Sequence, residues 1–271
     1  MKMHVASPGH AVFALTFIGL GILSLIKGDL VAVWDGVPKA WAVREPLAYV
    51  TALVSLGCGL GLFWQRTATA AARVLLGSLL AWMLLIKLRF IFTAPLNEIS
   101  YQTNGVTAVY VAGAWVFYAG LAGDWDRRQL AFAVGERGVR IARLLYGLAM
   151  IGFGFSHFAF LKNTYSLVPD WLPWHLGWAY FTGISYLAAA VGILFGVFPR
   201  LATLLAALQI AGFTFLVWPP LMLAGTITPF QWNEFTASWT LTAAGWLVVE
   251  SYRGSPWLGL WIPWLAKGPT G

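Results

Sequence analysis

The chain is poor in charge. Only 10% of its 271 residues are Asp, Glu, Lys or Arg, while 59% are hydrophobic. A soluble domain carries about 25% charged residues, so too little polar surface is available to coat a water-facing globule. Cysteine is scarcer still: Cys58 stands alone in a Gly-rich apolar stretch and reads as a small core residue. A single cysteine excludes an internal disulfide, CxxC redox chemistry, a cysteine-ligated iron–sulfur cluster and CxxCH haem attachment. No Walker loop, GxGxxG before a helix, HExxH or GxSxG occurs, so neither ATP chemistry nor a serine nucleophile has support. His4, His10, His157 and His175 follow no ligand spacing. His10 falls near one membrane face and His157 near the other, and no metal site or bound haem is predicted.

What the chain has in abundance is long apolar runs, with 16 Trp and 9 Tyr. A spanning helix needs about 20 mostly apolar residues. Eight spans are predicted, at 10–33, 47–64, 74–93, 105–123, 141–161, 178–198, 201–222 and 234–252. The expected fold is therefore an all-α integral membrane protein. Although Lys2 precedes the first apolar run, that run is read as a span and not a signal peptide.

The spans come as a duplication. Val37-Pro38 leads to Ala48-Tyr49, and Val168-Pro169 leads to Ala179-Tyr180 at an offset of 131 residues. Gly21 and Gly61 match Gly152 and Gly192 at the same offset of 131. After a short slip, Gln102, Asn104 and Thr107 match Gln231, Asn233 and Thr236 as a shared Q-x-N-x-x-T. The expected organisation is a first four-helix repeat over 1–123, a connection over 124–143, a second repeat over 144–252 and a Trp-rich tail over 253–271. In that tail Trp257, Trp261 and Trp264 recur at helical spacing, but Pro256, Gly259 and Pro263 favour an irregular, Trp-anchored segment.

Eleven basic residues (Lys2, Arg66, Arg73, Arg127, Arg128, Arg137, Arg140, Arg143, Arg200, Arg253 and Lys267) lie at the termini and even-numbered loops. Six, namely Lys27, Lys39, Arg44, Lys87, Arg89 and Lys162, lie on or near the other side. This bias predicts that both termini are cytoplasmic and that the two repeats run parallel. The net charge of +7 is read as orientation and lipid contact, with no nucleic-acid partner.

Polar residues inside spans are costly and raise a functional question. Lys27 and Asp29, Lys87 and Arg89, His157, Glu98 and Glu234 all fall in or near the outer half, and the inner half reads as nearly free of such groups. An outward-facing pocket between helices is expected, with Lys27, Lys87 or Arg89, and His157 converging on it. Lys87 and Arg89 are two residues apart, about 200° around a helix, so one is expected to face away and snorkel or pair. His157 follows Gly152, Gly154 and Ser156, and an interhelical hydrogen bond is its plainest role. Asn104 and Asn233 are expected to cap or bridge helices.

The segment from Arg140 to Val217 resembles the DoxX-like family of four-helix membrane proteins. The resemblance is carried by Gly152-Phe-Gly-Phe-Ser-His-Phe158, Leu167-Val-Pro-Asp-Trp-Leu-Pro173, Trp178-Ala-Tyr-Phe-Thr-Gly-Ile-Ser-Tyr-Leu187, Gly192-Ile-Leu-Phe195 and Pro199-Arg-Leu-Ala202. It implies a four-helix antiparallel unit, here doubled, in a bacterial inner membrane. Some relatives are linked to quinone-coupled redox chemistry. The family usually carries a glutamate where this chain has Tyr186, so a carboxylate-dependent role does not transfer. A quinone needs hydrogen-bond donors in an aromatic-lined cleft, and Tyr49, Tyr180, Tyr186 and His157 are the donors available.

The expected function is an accessory membrane subunit of a complex, which a redox partner would fit, with membrane lipids around it and no cofactor of its own. The alternative is a quinone- or lipid-binding oxidoreductase component. A small-molecule or lipid transporter ranks third, because the polar-poor inner half offers no continuous path.

Overall fold

The computed structural model describes residues 7–260. Lys2, His4, Trp261, Trp264 and Lys267, which figured in the charge, histidine and tail readings, lie outside them. The described chain is all-helical without a strand. Its long helices are α1 (Pro8–Lys27), α2 (Arg44–Gly61), α3 (Ala68–Thr93), α4 (Glu98–Leu121), α5 (Gly135–Ala159), α6 (His175–Phe195), α7 (Pro199–Leu223) and α8 (Pro229–Glu250). Six of them, all but α2 and α8, are long and apolar enough to cross a membrane, which marks a membrane-embedded protein.

Local chemistry sets the helix ends. Ser7 opens α1 by accepting the His10 N–H at 3.1 Å, and Asn97 opens α4 by accepting the Ile99 N–H at 3.1 Å. Thr228 and Gln231 form a reciprocal capping box at the start of α8. Gly28 closes α1 in the left-handed region at φ 61°, a conformation glycine adopts without a Cβ clash. Helix 1 was expected to run to residue 33. It stops at Lys27, and Ala32–Trp34 returns as a 3₁₀ turn with Trp34 buried. The predicted 124–143 connection is also shorter: Asp124–Gln129 is a brief helix, and α5 already begins at Gly135.

Sequential helices pack as neighbours from α1 to α8. The α8 helix also packs on α1 and α4, and α4 packs on α5. Small residues allow this closeness, as in membrane helix pairs generally. A Cβ on Gly21 would lie 2.7 Å from the Leu56 backbone nitrogen, and one on Gly59 2.8 Å from the Ala14 carbonyl.

Contacts between helix ends divide the bundle into two ends. The terminal end joins Ser7 to Glu250 at 2.6 Å, Thr69 to Leu121 O at 2.7 Å and Arg143 to Ser251 at 3.0 Å. The far end carries the α1–α2, α3–α4, α5–α6 and α7–α8 connections.

Candidate functional site

The far-end site starts with the α1–α2 connection, which two tryptophans pull into the bundle. Trp34 Nε1 donates to Ser55 Oγ at 2.8 Å, and its ring meets Trp82 edge-on at 5.5 Å. Trp82 Nε1 in turn donates to the Asp35 carbonyl at 3.1 Å. An ion pair between Arg44 Nε and Asp29 at 2.6 Å closes the outside of this connection, and Arg44 also donates to the Val37 carbonyl. Arg44 holds the Asp29 carboxyl below the usual carboxylate range, against a smaller opposing effect of burial.

Helix α3 then departs from regular geometry. Met83–Lys87 forms a π turn, a distortion frequently found at functional sites. The turn ends on Lys87, which is only 5% exposed. Lys87 Nζ donates to Thr103 Oγ1 at 3.3 Å, and the Lys87 carbonyl accepts from Asn104 Nδ2 at 2.9 Å. The Asp35 carboxylate and the Arg89 guanidinium are the charges that bear on it. Arg89 Nη2 donates to the Gly36 carbonyl at 2.6 Å, with the Trp41 ring 5.0 Å from its guanidinium. Gly36 sits at φ 114°, and a Cβ there would lie 3.2 Å from Ile86 and 3.4 Å from the Lys87 methylenes. Glycine is thus what lets the loop lie flat on the lysine. From α8, Glu234 lies within electrostatic reach of Asp35 and Tyr110.

The expected separation of Lys87 from Arg89 is not observed, because both reach Gly36. The backbone is right-handed helical at Lys87 and Leu88, so it is the length of the two side chains that covers the angle between them. Neither pairs with Glu98 or with Asp29, whose partner is Arg44.

The other expected site residues do not gather here. Lys27 is exposed at the end of α1, and Tyr49 is 42% exposed beside Gly28. His157 Nδ1 lies 2.7 Å from the Phe153 carbonyl one turn back, and its ring lies 5.3 Å from buried Tyr186. This is a bond within α5, where an interhelical one was expected. Tyr180 is exposed against Phe158. Glu98 lines a separate crevice with Ala159 and Phe160. Among the described residues no group of His, Cys, Asp and Glu is placed to hold a metal ion.

The repeated motif residues have mixed fates. Val37 is buried, and Pro38 and Pro169 each begin the same turn, with Trp41 N–H on Pro38 O at 3.1 Å and Leu172 N–H on Pro169 O at 2.9 Å. Thr107 and Thr236 both bond the carbonyl four residues back, at 3.0 and 2.6 Å. Asn104 bridges α4 to α3 and does not cap. Asn233 makes no matching bridge, and Gln231 takes the capping role at α8 instead.

No family model, curated protein or solved structure matches the chain. What the site does must therefore be argued from its own chemistry. It offers a buried ammonium with one long hydrogen bond, so spare donor capacity faces a wall of Thr103, Asp35 and Gly36.

The terminal end holds polar groups that sequence reading left unassigned. Asp126 is 1% exposed and accepts from Arg73 Nε at 2.7 Å, Tyr118 OH at 2.7 Å and Gly123 N–H at 3.0 Å. Buried charge thus also occurs at the terminal end, in the connection after α4. An aspartate in a polar connection gives no sign, by itself, of a partner 53 residues away on another helix.

Proposed function

We propose that the protein is an accessory membrane subunit whose far-end site around Lys87 takes up a membrane-soluble molecule bearing hydrogen-bond acceptors, of the quinone or acidic-lipid kind. The observation that carries this reading is Lys87 itself, 5% exposed at the end of a π turn and donating only to Thr103 at 3.3 Å. A buried ammonium has three donors to satisfy, and leaving them unused is costly. A carbonyl or phosphate oxygen would satisfy them, while Asp35 and Glu234 limit the net positive charge that the site presents.

The same reading takes the chain as eight spans in two parallel four-helix repeats. Two pairings at an offset of 131 residues support the duplication. A Cβ on Gly61 would meet Ala71 at 2.9 Å, and one on Gly192 would meet Ala202 at 2.7 Å. Pro38 and Pro169 begin equivalent turns. The resemblance of residues 140–217 to DoxX-like proteins agrees with this arrangement and with a redox partner in a bacterial inner membrane.

The experiment is purification into lipid nanodiscs followed by mass spectrometry of co-purifying lipids and quinones. Wild type is expected to retain a quinone or acidic lipid above its share of the bulk membrane. Lys87→Met should lower that retention about tenfold or more, the worth of a charge-assisted hydrogen bond of roughly 1.5–3 kcal/mol. Unchanged retention in Lys87→Met overturns the assignment, and loss in His157→Leu alone would move the site to the His157–Tyr186 pair.

Orientation has its own test. Arg66, Arg73, Arg127, Arg128, Arg200 and Arg253 lie at the terminal end, which the positive-inside bias assigns to the cytoplasm. A reporter fused after Gly271 should therefore be active only as a cytoplasmic fusion. Periplasmic activity there would reverse the assignment.

A further inference from the structure

A second site lies on the same end of the bundle, away from Lys87. Glu98 is the first residue of α4, and Asn97 supplies the cap bond, so the Glu98 carboxylate meets the helix start through the dipole alone and not through a capping hydrogen bond. Both of its carboxylate oxygens are shielded from solvent, and neither makes a hydrogen bond. The Ser156 hydroxyl on α5 lies close, but it is donated to the Gly152 carbonyl at 2.8 Å and the Phe153 carbonyl at 3.1 Å. Among the described residues no cation pairs with Glu98. The side chain lines an open crevice of about 610 Å³ whose other walls are Ala94, Pro95, Leu96, Asn97, Ala159 and Phe160, with the Asn97 amide oxygen engaged by the Ile99 N–H.

An ionised carboxylate whose oxygens are shielded and make no hydrogen bond in the protein is costly. Its charge must be cancelled by a proton or by a cation. Hard inorganic cations call for about six oxygen ligands, and this crevice supplies one carboxylate set in methyl and aromatic surface. An organic cation with apolar substituents fits both features, since the alkyl or aryl groups meet the apolar wall and the Phe160 ring can face the charge.

We propose that the Glu98 crevice binds a lipophilic organic cation, taken up in exchange for the carboxyl proton. The exchange is balanced: one proton leaves the carboxyl for solvent, one cation arrives, and no covalent bond forms or breaks. Glu98 is the only charged residue lining the crevice. Tyr101 on the same helix donates its hydroxyl to Pro95 O at 2.9 Å. His157, next to Ser156 in sequence, is engaged with Phe153 and Tyr186, and Lys162 beyond α5 is exposed.

The test uses the full chain in lipid nanodiscs with tetraphenylphosphonium as probe, measured by equilibrium dialysis from pH 5.5 to 8.5 against empty nanodiscs. Saturable binding with one site per chain is expected, tightening up to about tenfold per pH unit while the free carboxyl is protonated. Glu98→Gln should weaken binding by about tenfold or more and flatten the pH dependence, and Glu98→Asp should keep the slope. The melting temperature of Glu98→Gln should equal or exceed that of wild type, because no structural partner is lost. Absence of saturable binding in wild type, a pH slope that survives in Glu98→Gln, or a clear drop in that variant's melting temperature would each overturn the proposal.

Discussion

Gly113→Val is expected to destabilise the protein by about 3 kcal/mol or more, at the upper end of what overpacking costs. Gly113 is buried in the middle of α4, where that helix crosses α8. Even a single Cβ there would lie 2.7 Å from both Cα and Cβ of Ala244 and 2.9 Å from its carbonyl oxygen. Two of those three atoms are backbone, so no rotamer change can relieve the clash and the helices must separate. The comparison is Gly77→Val on α3, where a Cβ meets nothing within 4 Å. Thermal unfolding in a mild detergent should separate the two variants clearly, and equal melting temperatures would show that α4 and α8 are not packed as described. Ala244→Gly should rescue Gly113→Val only in part, because it removes the Cβ contact and leaves the Cα and carbonyl contacts in place. The site should feel the same change, since α4 contributes Thr103 and Asn104 to it and α8 contributes Glu234.

The helices were legible because apolar runs of spanning length and their Gly, Pro and Asn punctuation are local properties of the chain. Gly61 and Gly192, matched in the sequence, each meet an alanine of the following helix, Ala71 and Ala202. The end of α1 was not legible. Residues 28–34 are apolar enough to extend a span, and hydropathy does not distinguish a helix from a loop folded back to bury Trp34. The start of α5 was missed for the opposite reason: Arg137, Arg140 and Arg143 lie in a polar stretch that is nevertheless helical. At the far-end site Lys87 and Arg89 stood out as charges within a span. Asp35 and Gly36 looked like ordinary loop residues, because their importance depends on where the loop lands. Periodicity assumes a regular helix, so it placed Lys87 and Arg89 on opposite faces. The spacing of these two residues is helical, but a lysine and an arginine are long enough for both to reach Gly36.

Asp126→Asn is expected to cost about 2–3 kcal/mol at neutral pH, the worth of hydrogen bonds to a buried charged acceptor, since Arg73 itself is 40% exposed. The carboxylate joins three segments: Arg73 from α3, Tyr118 from α4 and the Gly123 N–H of the connection that follows. Asparagine keeps the shape but loses the charge, and it turns an NH2 group towards positions now occupied by donors. Arg73 also lies over the Trp125 ring at 4.5 Å, which places the cation even when the carboxylate is gone. A double-mutant cycle of Asp126→Asn with Arg73→Gln should therefore give a coupling of about 1–2 kcal/mol, smaller than either total loss. The pH dependence follows from the same geometry. Burial alone would raise the Asp126 pKa, but Arg73, Tyr118 and the Gly123 N–H together outweigh it and hold the carboxyl below its ordinary value of 3.8. A carboxyl depressed in the folded state contributes stability that is fully present above its unfolded pKa of about 3.9 and is lost as pH falls through the lower folded value. The gap between wild type and Asp126→Asn should thus be constant from pH 8 to pH 5 and narrow only below about pH 4. A gap already closing near pH 6 would mean that the carboxylate is not held ionised by these donors, and the network would have to be reassigned.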